Sequence, residues 1–294
     1  MREKSPFLIA CLYMMGYTIC YAALWACVRH LSGDIHPVVL VFFRTFFGLL
    51  TTLPILMRIK LPTFSSGLYP LYILRGISNI ASVAGSYFAI RLLPLADVVA
   101  FSYAAPIFAT ILAAFFLKEH IGRHRILAIL LAFGGVLILI RPGFQNLNEG
   151  MWIALGSAAC FAVTLICVKT LTRHDSPSMV SLMGFVVALP VIFISALFYW
   201  QWPTGEQWGF LILMGFFAAT SHLCLARALS RADLSAVMPI DFSRIIFAAL
   251  LGITLFGDPF NGLTFLGGGV ILASAAYAAH RERRNKIAQR EMTS

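Results

Sequence analysis

The chain has 294 residues, 60% of them hydrophobic and 12% charged, with a formal net charge of +10. Soluble chains carry about 25% charged residues, so this composition excludes an ordinary soluble domain and describes an integral membrane protein. The six cysteines, Cys11, Cys20, Cys27, Cys160, Cys167 and Cys224, lie inside apolar runs with no CxxC pair, which makes them small helix packers and not disulfides or metal ligands.

Apolar segments bounded by charges or turn residues occupy 7–28, 37–57, 68–90, 95–117, 126–140, 151–168, 178–200, 208–226, 235–256 and 260–279. The first is too long for a signal-peptide core and has no Ala-x-Ala-like site after it, so it counts as a span. The fifth is short, about 22 Å at the helical rise. Arg125 and Arg141 flank it and can snorkel to the two surfaces. Ten spans place both termini on one side. With that side cytoplasmic, 16 Lys and Arg fall inside and 3 outside, and Arg44, Arg75 and Arg244 lie within spans. The bias predicts cytoplasmic termini in a bacterial-type inner membrane. It also accounts for the basic charge without a nucleic-acid partner. Residues 281–294 form a basic cytoplasmic tail.

The two halves of the chain match. At an offset of 140, residues 16–37 align without gaps to 156–177, and seven positions are identical: Gly16/Gly156, Cys20/Cys160, Ala22/Ala162, Cys27/Cys167, Val28/Val168, Leu31/Leu171 and Pro37/Pro177. Arg29/Lys169 is a like-charge match. At an offset of 136, Arg91-x-Leu-x-x-Ala-Asp97 matches Arg227-x-Leu-x-x-Ala-Asp233. Five spans per repeat is an odd number, so the second copy enters the membrane from the opposite side. The expected fold is an all-α membrane protein of ten transmembrane helices in two inverted five-helix repeats, residues 5–143 and 150–280. This architecture serves secondary transporters, which hold a solute near the midplane between the repeats.

Further motifs carry a resemblance. They are Phe42-Phe43-Arg44, Leu74-Arg75-Gly76, Pro106, Phe116-Leu117-Lys118-Glu119 and Leu255-Phe256-Gly257-Asp258. With these the chain resembles a ten-helix member of the drug/metabolite transporter superfamily with two EamA-type halves, over about residues 5–280. Asp258 departs from the Glu common in that family. The Phe-Phe-Arg and Leu-Arg-Gly elements resemble the subgroup of bacterial S-adenosylmethionine carriers. The resemblance implies transport of a small organic solute, with amino acids, S-adenosylmethionine and a riboflavin-type vitamin as candidate cargoes. It implies neither cofactor nor metal.

The polar residues within spans are the candidate solute-binding set. Asp241 and Arg244 sit three apart in an apolar run just after Pro239, which favours a kink. They either line a pathway or form a structural ion pair. Arg44 either snorkels outward or reaches a cavity. Arg75, Asn79, Ser82 and Ser86 share one helix face, which turns toward a cavity or makes a small-residue packing contact. His222 aligns with Ser86 and is a candidate for proton coupling or a packing histidine. Tyr103, with Tyr17, Tyr21, Phe101 and Phe161, is a candidate aromatic wall. Trp200, Trp202 and Trp208 read as interfacial belt residues. Asp97 and Asp233 read as helix caps, and Glu119 and Asp258 as structural or gating groups. Three arginines against one aspartate favour a carboxylate-bearing solute, and Asp241 adds a place for an ammonium or sulfonium group. The chain contains no HExxH or GxSxG motif and no ATP-binding signature, which argues against an intramembrane enzyme.

Overall fold

The computed structural model describes residues 6–57, 67–92, 98, 101–118, 122–140, 149–256, 266, 269, 270, 273 and 277. Among the described residues all regular structure is helical. The helices are α1 (Pro6–Leu31), α2 (Pro37–Met57), α3 (Tyr69–Leu92), α4 (Ala104–Phe116), α5 (Arg123–Ile140), α6 (Glu149–Leu171), α7 (Pro177–Leu197), α8 (Gly205–Leu229), α9 (Leu234–Asp241) and α10 (Arg244–Phe256). Among the described residues, five stretches are long and apolar enough to cross a bilayer: α1, residues 37–54 of α2, α6, α7 and α8. The tenth expected span falls mostly outside the described residues, as do Asp97, Glu119 and Asp258. Asp233 does stand at the N-cap of α9, but its side chain makes no capping hydrogen bond there.

The most extensive packing is between halves: α3 lies on α6, and α1 on α8. These two contacts exchange under the repeat. Glycines make the close approaches. A Cβ at Gly76 of α3 would lie 2.5 Å from Val187 Cγ1 of α7, and one at Gly215 of α8 would lie 2.2 Å from Phe47 Cβ of α2. Val187 is 140 residues after Phe47, and Gly215 is 139 after Gly76, so the two contacts are repeat mates. A similar pair joins Gly16 to Cys224 and Gly85 to Ser157; Cys224 is again 139 residues after Gly85, and Ser157 is one residue past Gly156, the mate of Gly16. The contacts of α3 and α8 therefore register at 139, which sets His222 opposite Val83 and not opposite Ser86.

The bundle ends differ in chemistry. At one end His36 stacks on Tyr199 at 4.1 Å, Gln207 donates to Asp34 at 3.3 Å, and the Arg29 guanidinium lies 4.5 Å over the Phe256 ring. Trp200 and Trp208 pack there against Phe42, Phe43 and Phe47, while Trp202 is exposed. Trp200 and Trp208 of the expected belt are thus half-buried against this aromatic cluster. At the other end Tyr72 donates its hydroxyl proton to Asp175 at 2.8 Å. The buried Lys169 ammonium donates to the carbonyls of Leu229 and Ala232. Those acceptors close α8 and the turn after it, where helix carbonyls lack intrahelical partners.

Three substitutions test this packing. Gly215→Ala is expected to lower stability by about 1–3 kcal/mol, because its Cβ meets backbone as well as side chain. Gly209→Ala, which meets nothing within 4 Å, is expected to be neutral or mildly stabilising. Lys169→Met should cost about 1–3 kcal/mol by orphaning two carbonyls. Thermal unfolding of the purified variants in nanodiscs reads all three.

Candidate functional site

The stretch expected as one kinked span is two helices. α9 ends at Asp241 and α10 begins at Arg244. The interruption lies after Pro239, not at it. Its local cause is Ser243, whose hydroxyl donates to the Ile240 carbonyl at 2.7 Å while its amide donates to the same oxygen at 3.0 Å. That carbonyl is thereby withdrawn from the α-helical ladder. The fourth expected span is interrupted too, by a turn at Tyr103 just before α4. Phe242 follows Tyr103 by 139 residues, and their rings stack at 5.5 Å and 17°. Breaks at matching places in the two halves therefore meet face to face.

Charges collect at this junction. Arg244 Nη2 and Asp241 Oδ2 are 3.7 Å apart, both nearly fully buried. The Arg244 guanidinium lies over the rings of Tyr21 (4.9 Å) and Tyr103 (5.0 Å), contacts that favour a cation over a π face. Tyr21 contacts Tyr17 and Phe161 in turn. Two polar atoms here have no hydrogen-bond partner: Asp241 Oδ1 and the Tyr17 hydroxyl. A cavity opens beside Arg244, lined by Ala22, Trp25, Arg29, Tyr103 and Phe256 among others. It runs along α1 and α10 from the helix break toward the Arg29–Phe256 contact.

A second charged group lies where α2, α3, α7 and α8 meet. Arg44 does not snorkel; it is 2% exposed and its Nη2 lies 3.2 Å from His222 Nε2. The guanidinium has only donors, so Nε2 is the acceptor and the imidazole proton sits on Nδ1. Phe185 packs edge-on against His222 at 5.1 Å. Arg75 is 1% exposed. Its guanidinium occupies a notch made by Gly184: a Cβ there would lie within bonding distance of Nη1. Tyr87 packs edge-on against Trp25 at 6.4 Å, and its buried hydroxyl has no hydrogen-bond partner.

The rest of the expected polar face turns to protein. Ser86 shares a 2.7 Å hydrogen bond with Ser157, which donates to the Ser82 carbonyl at 2.6 Å. Ser78 bonds Thr164 at 2.8 Å. The structure thus places the Ser86 hydroxyl and the Ser82 carbonyl in hydrogen bonds across the α3–α6 seam, the packing alternative for this face. Asn79 is buried beside them. Sequence reasoning missed Phe242, Tyr87 and Gly184. Gly184 carried a signal, since it is the repeat mate of Arg44. Among the described residues, no three His, Cys, Asp or Glu side chains gather where a metal could be held.

The EamA-like transporter family model matches residues 8–141 and 148–279. Similar proteins include the riboflavin transporter of Vibrio cholerae serotype O1, 30% identical over 200 residues that make up 68% of this chain and 67% of that one. The S-adenosylmethionine uptake transporter of Rickettsia bellii is 23% identical over 256 residues, 87% and 88% of the two chains. The pseudopaline exporter CntI of Pseudomonas aeruginosa is 25% identical over 283 residues, 96% and 98% of the two. Two copies of the domain in one chain, on helices packed as repeat mates, leave one conclusion: this protein belongs to the EamA-like transporter family, within the drug/metabolite transporter superfamily.

Proposed function

We propose that the protein is a secondary transporter that moves a small amino-acid-like solute, of amino-acid or S-adenosylmethionine type, across the inner membrane by alternating access. Ten spans, cytoplasmic termini and a basic cytoplasmic tail belong to the same reading. The observation that carries it is the Asp241–Arg244 pair at the α9–α10 break, beside an open cavity and walled by Tyr17, Tyr21 and Tyr103. Asp241 keeps one carboxylate oxygen unpartnered, which suits an ammonium or sulfonium group. Arg244 supplies a planar fork for a carboxylate. Binding that competes for either partner loosens the pair at a junction where two broken helices meet. Half-helices of this kind are the elements that carriers of inverted-repeat architecture use to gate a midplane site.

A riboflavin-type cargo is the second reading. The stacked Tyr103 and Phe242 rings and the tyrosines around Arg244 favour a flat aromatic solute. His222 is the candidate proton-coupling group on either reading. In its contact with Arg44 it accepts a hydrogen bond at Nε2, and uptake of a proton on that atom breaks the contact.

Uptake into proteoliposomes separates the cargoes. S-adenosylmethionine, the standard amino acids and riboflavin are each compared with and without a pH gradient. Saturable uptake of an amino-acid-like solute is expected, with Asp241→Asn reducing it by at least tenfold and Arg244→Lys reducing it through loss of fork and ring contacts. Uptake of riboflavin alone, untouched by Asp241→Asn, would transfer recognition to the aromatic walls. Orientation is read by labelling single cysteines in a Cys-free background. A cysteine at Asp34 is expected to react with an impermeant maleimide in cells with only the outer membrane opened, and one at Asp175 only after the inner membrane is permeabilised.

A further inference from the structure

We infer that Arg44, Arg75 and His222 form a second binding site, for a small oxyanion of carboxylate or phosphate type, separate from the Asp241–Arg244 pair. Both guanidinium groups are nearly fully buried, at 2% and 1% exposure. Neither meets a carboxylate among the described residues. Asp241, the buried acid, is committed to Arg244, and Asp175 accepts from Tyr72 at the bundle end. What Arg44 has instead is the lone pair of a neutral imidazole. Its Nε has no partner, and neither do Nε and Nη1 of Arg75. A buried cation is ordinarily paired, and a buried donor without an acceptor is costly. Two such cations and three orphaned donors, set beside Gly184 and Phe185 of α7, describe a site built for a negative charge that none of the described residues supplies.

The notch at Gly184 strengthens this. The repeat places Gly184 where the first half has Arg44, at the same offset of 140 that relates Val187 to Phe47. Glycine there admits the Arg75 guanidinium from α3, so both cations converge on one junction while the mates of neither recreate it elsewhere. Oxygen anions bind a guanidinium through its N–H donors, and the orphaned Nε and Nη1 of Arg75 each offer one, on different edges of the group. The anion is either the carboxylate of the transported solute or a free inorganic ion, and the two sources share this chemistry. The inference rests on the transport reading only for the first source.

Binding is tested on the full chain in nanodiscs by thermal unfolding at fixed ionic strength. The probes are benzoate, inorganic phosphate and, as the neutral counterpart of benzoate, benzamide. The expected result is a saturable rise of about 2–4 °C at roughly tenfold excess over Kd with an anionic probe and none with benzamide. Arg75→Gln and Arg44→Gln should each remove the rise, and Arg75→Lys should keep part of it. Gly184→Ala, which evicts the guanidinium from its notch, serves where Arg75→Gln does not fold. Asp241→Asn should keep the full response, so loss of transport in that variant leaves this site standing. A rise with benzoate assigns the site to the carboxylate of a solute, and a rise with phosphate alone to an inorganic anion. Equal shifts with benzoate and benzamide, no shift with either anion, or an unchanged shift in both glutamine variants would overturn the site.

Discussion

A charge deep in a bilayer must find a partner within the protein, because hydrocarbon offers none. Four residues place such charges in this chain, and the packing of the central helices answers to them. Asp241 and Arg244 meet across an interruption in a helix, and two tyrosine rings enclose the cation. Arg44 reaches across to a histidine 178 residues away. Arg75 is seated where another helix has no side chain at all. Each solution demands something of its neighbours: a break that Ser243 maintains, a neutral imidazole tautomer, a glycine. The helices crossing near the middle of the bundle are those that supply these groups.

The breaks and the charges belong together. A helix interruption in a membrane exposes backbone groups that need satisfaction from protein, side chains or water. At the α9–α10 junction the Ser243 hydroxyl bonds the Ile240 carbonyl and lies 3.4 Å from the Thr18 hydroxyl, tying the junction to α1. The stacked Tyr103 and Phe242 rings then link this break to the turn before α4. Tyr103 of that stack also lies against the Arg244 guanidinium, which Asp241 holds from the other side of the junction.

Much of the architecture is legible in the residues. Charges and prolines punctuate the apolar runs, so the bounds of α2 follow from Pro37 and from Arg58 just beyond it, and internal identity reveals the repeat. The interruption at 242–243 is not legible, because Pro239 draws attention to the wrong peptide and a serine inside an apolar run has many ordinary roles. The facing of α3 is equally hidden. Serines spaced along one face suit a cavity and a close helix contact alike, and only the position of Ser157 on α6 decides for contact. The Arg44–His222 pairing depends on how α2 and α8 cross, which local pattern does not encode. Gly184 is the exception among the missed residues, since aligning the halves sets it against Arg44.

That alignment has an energetic consequence. A carrier whose halves were interchangeable would hold its two end states at equal free energy, since exchanging the roles of the repeats would convert one into the other. In this chain one repeat bears a guanidinium where its mate has a single hydrogen atom, at the centre of the bundle. On the proposed alternating-access reading, the two end states differ in how that cation is solvated, which gives the chain a preference for one orientation before any solute or gradient acts on it.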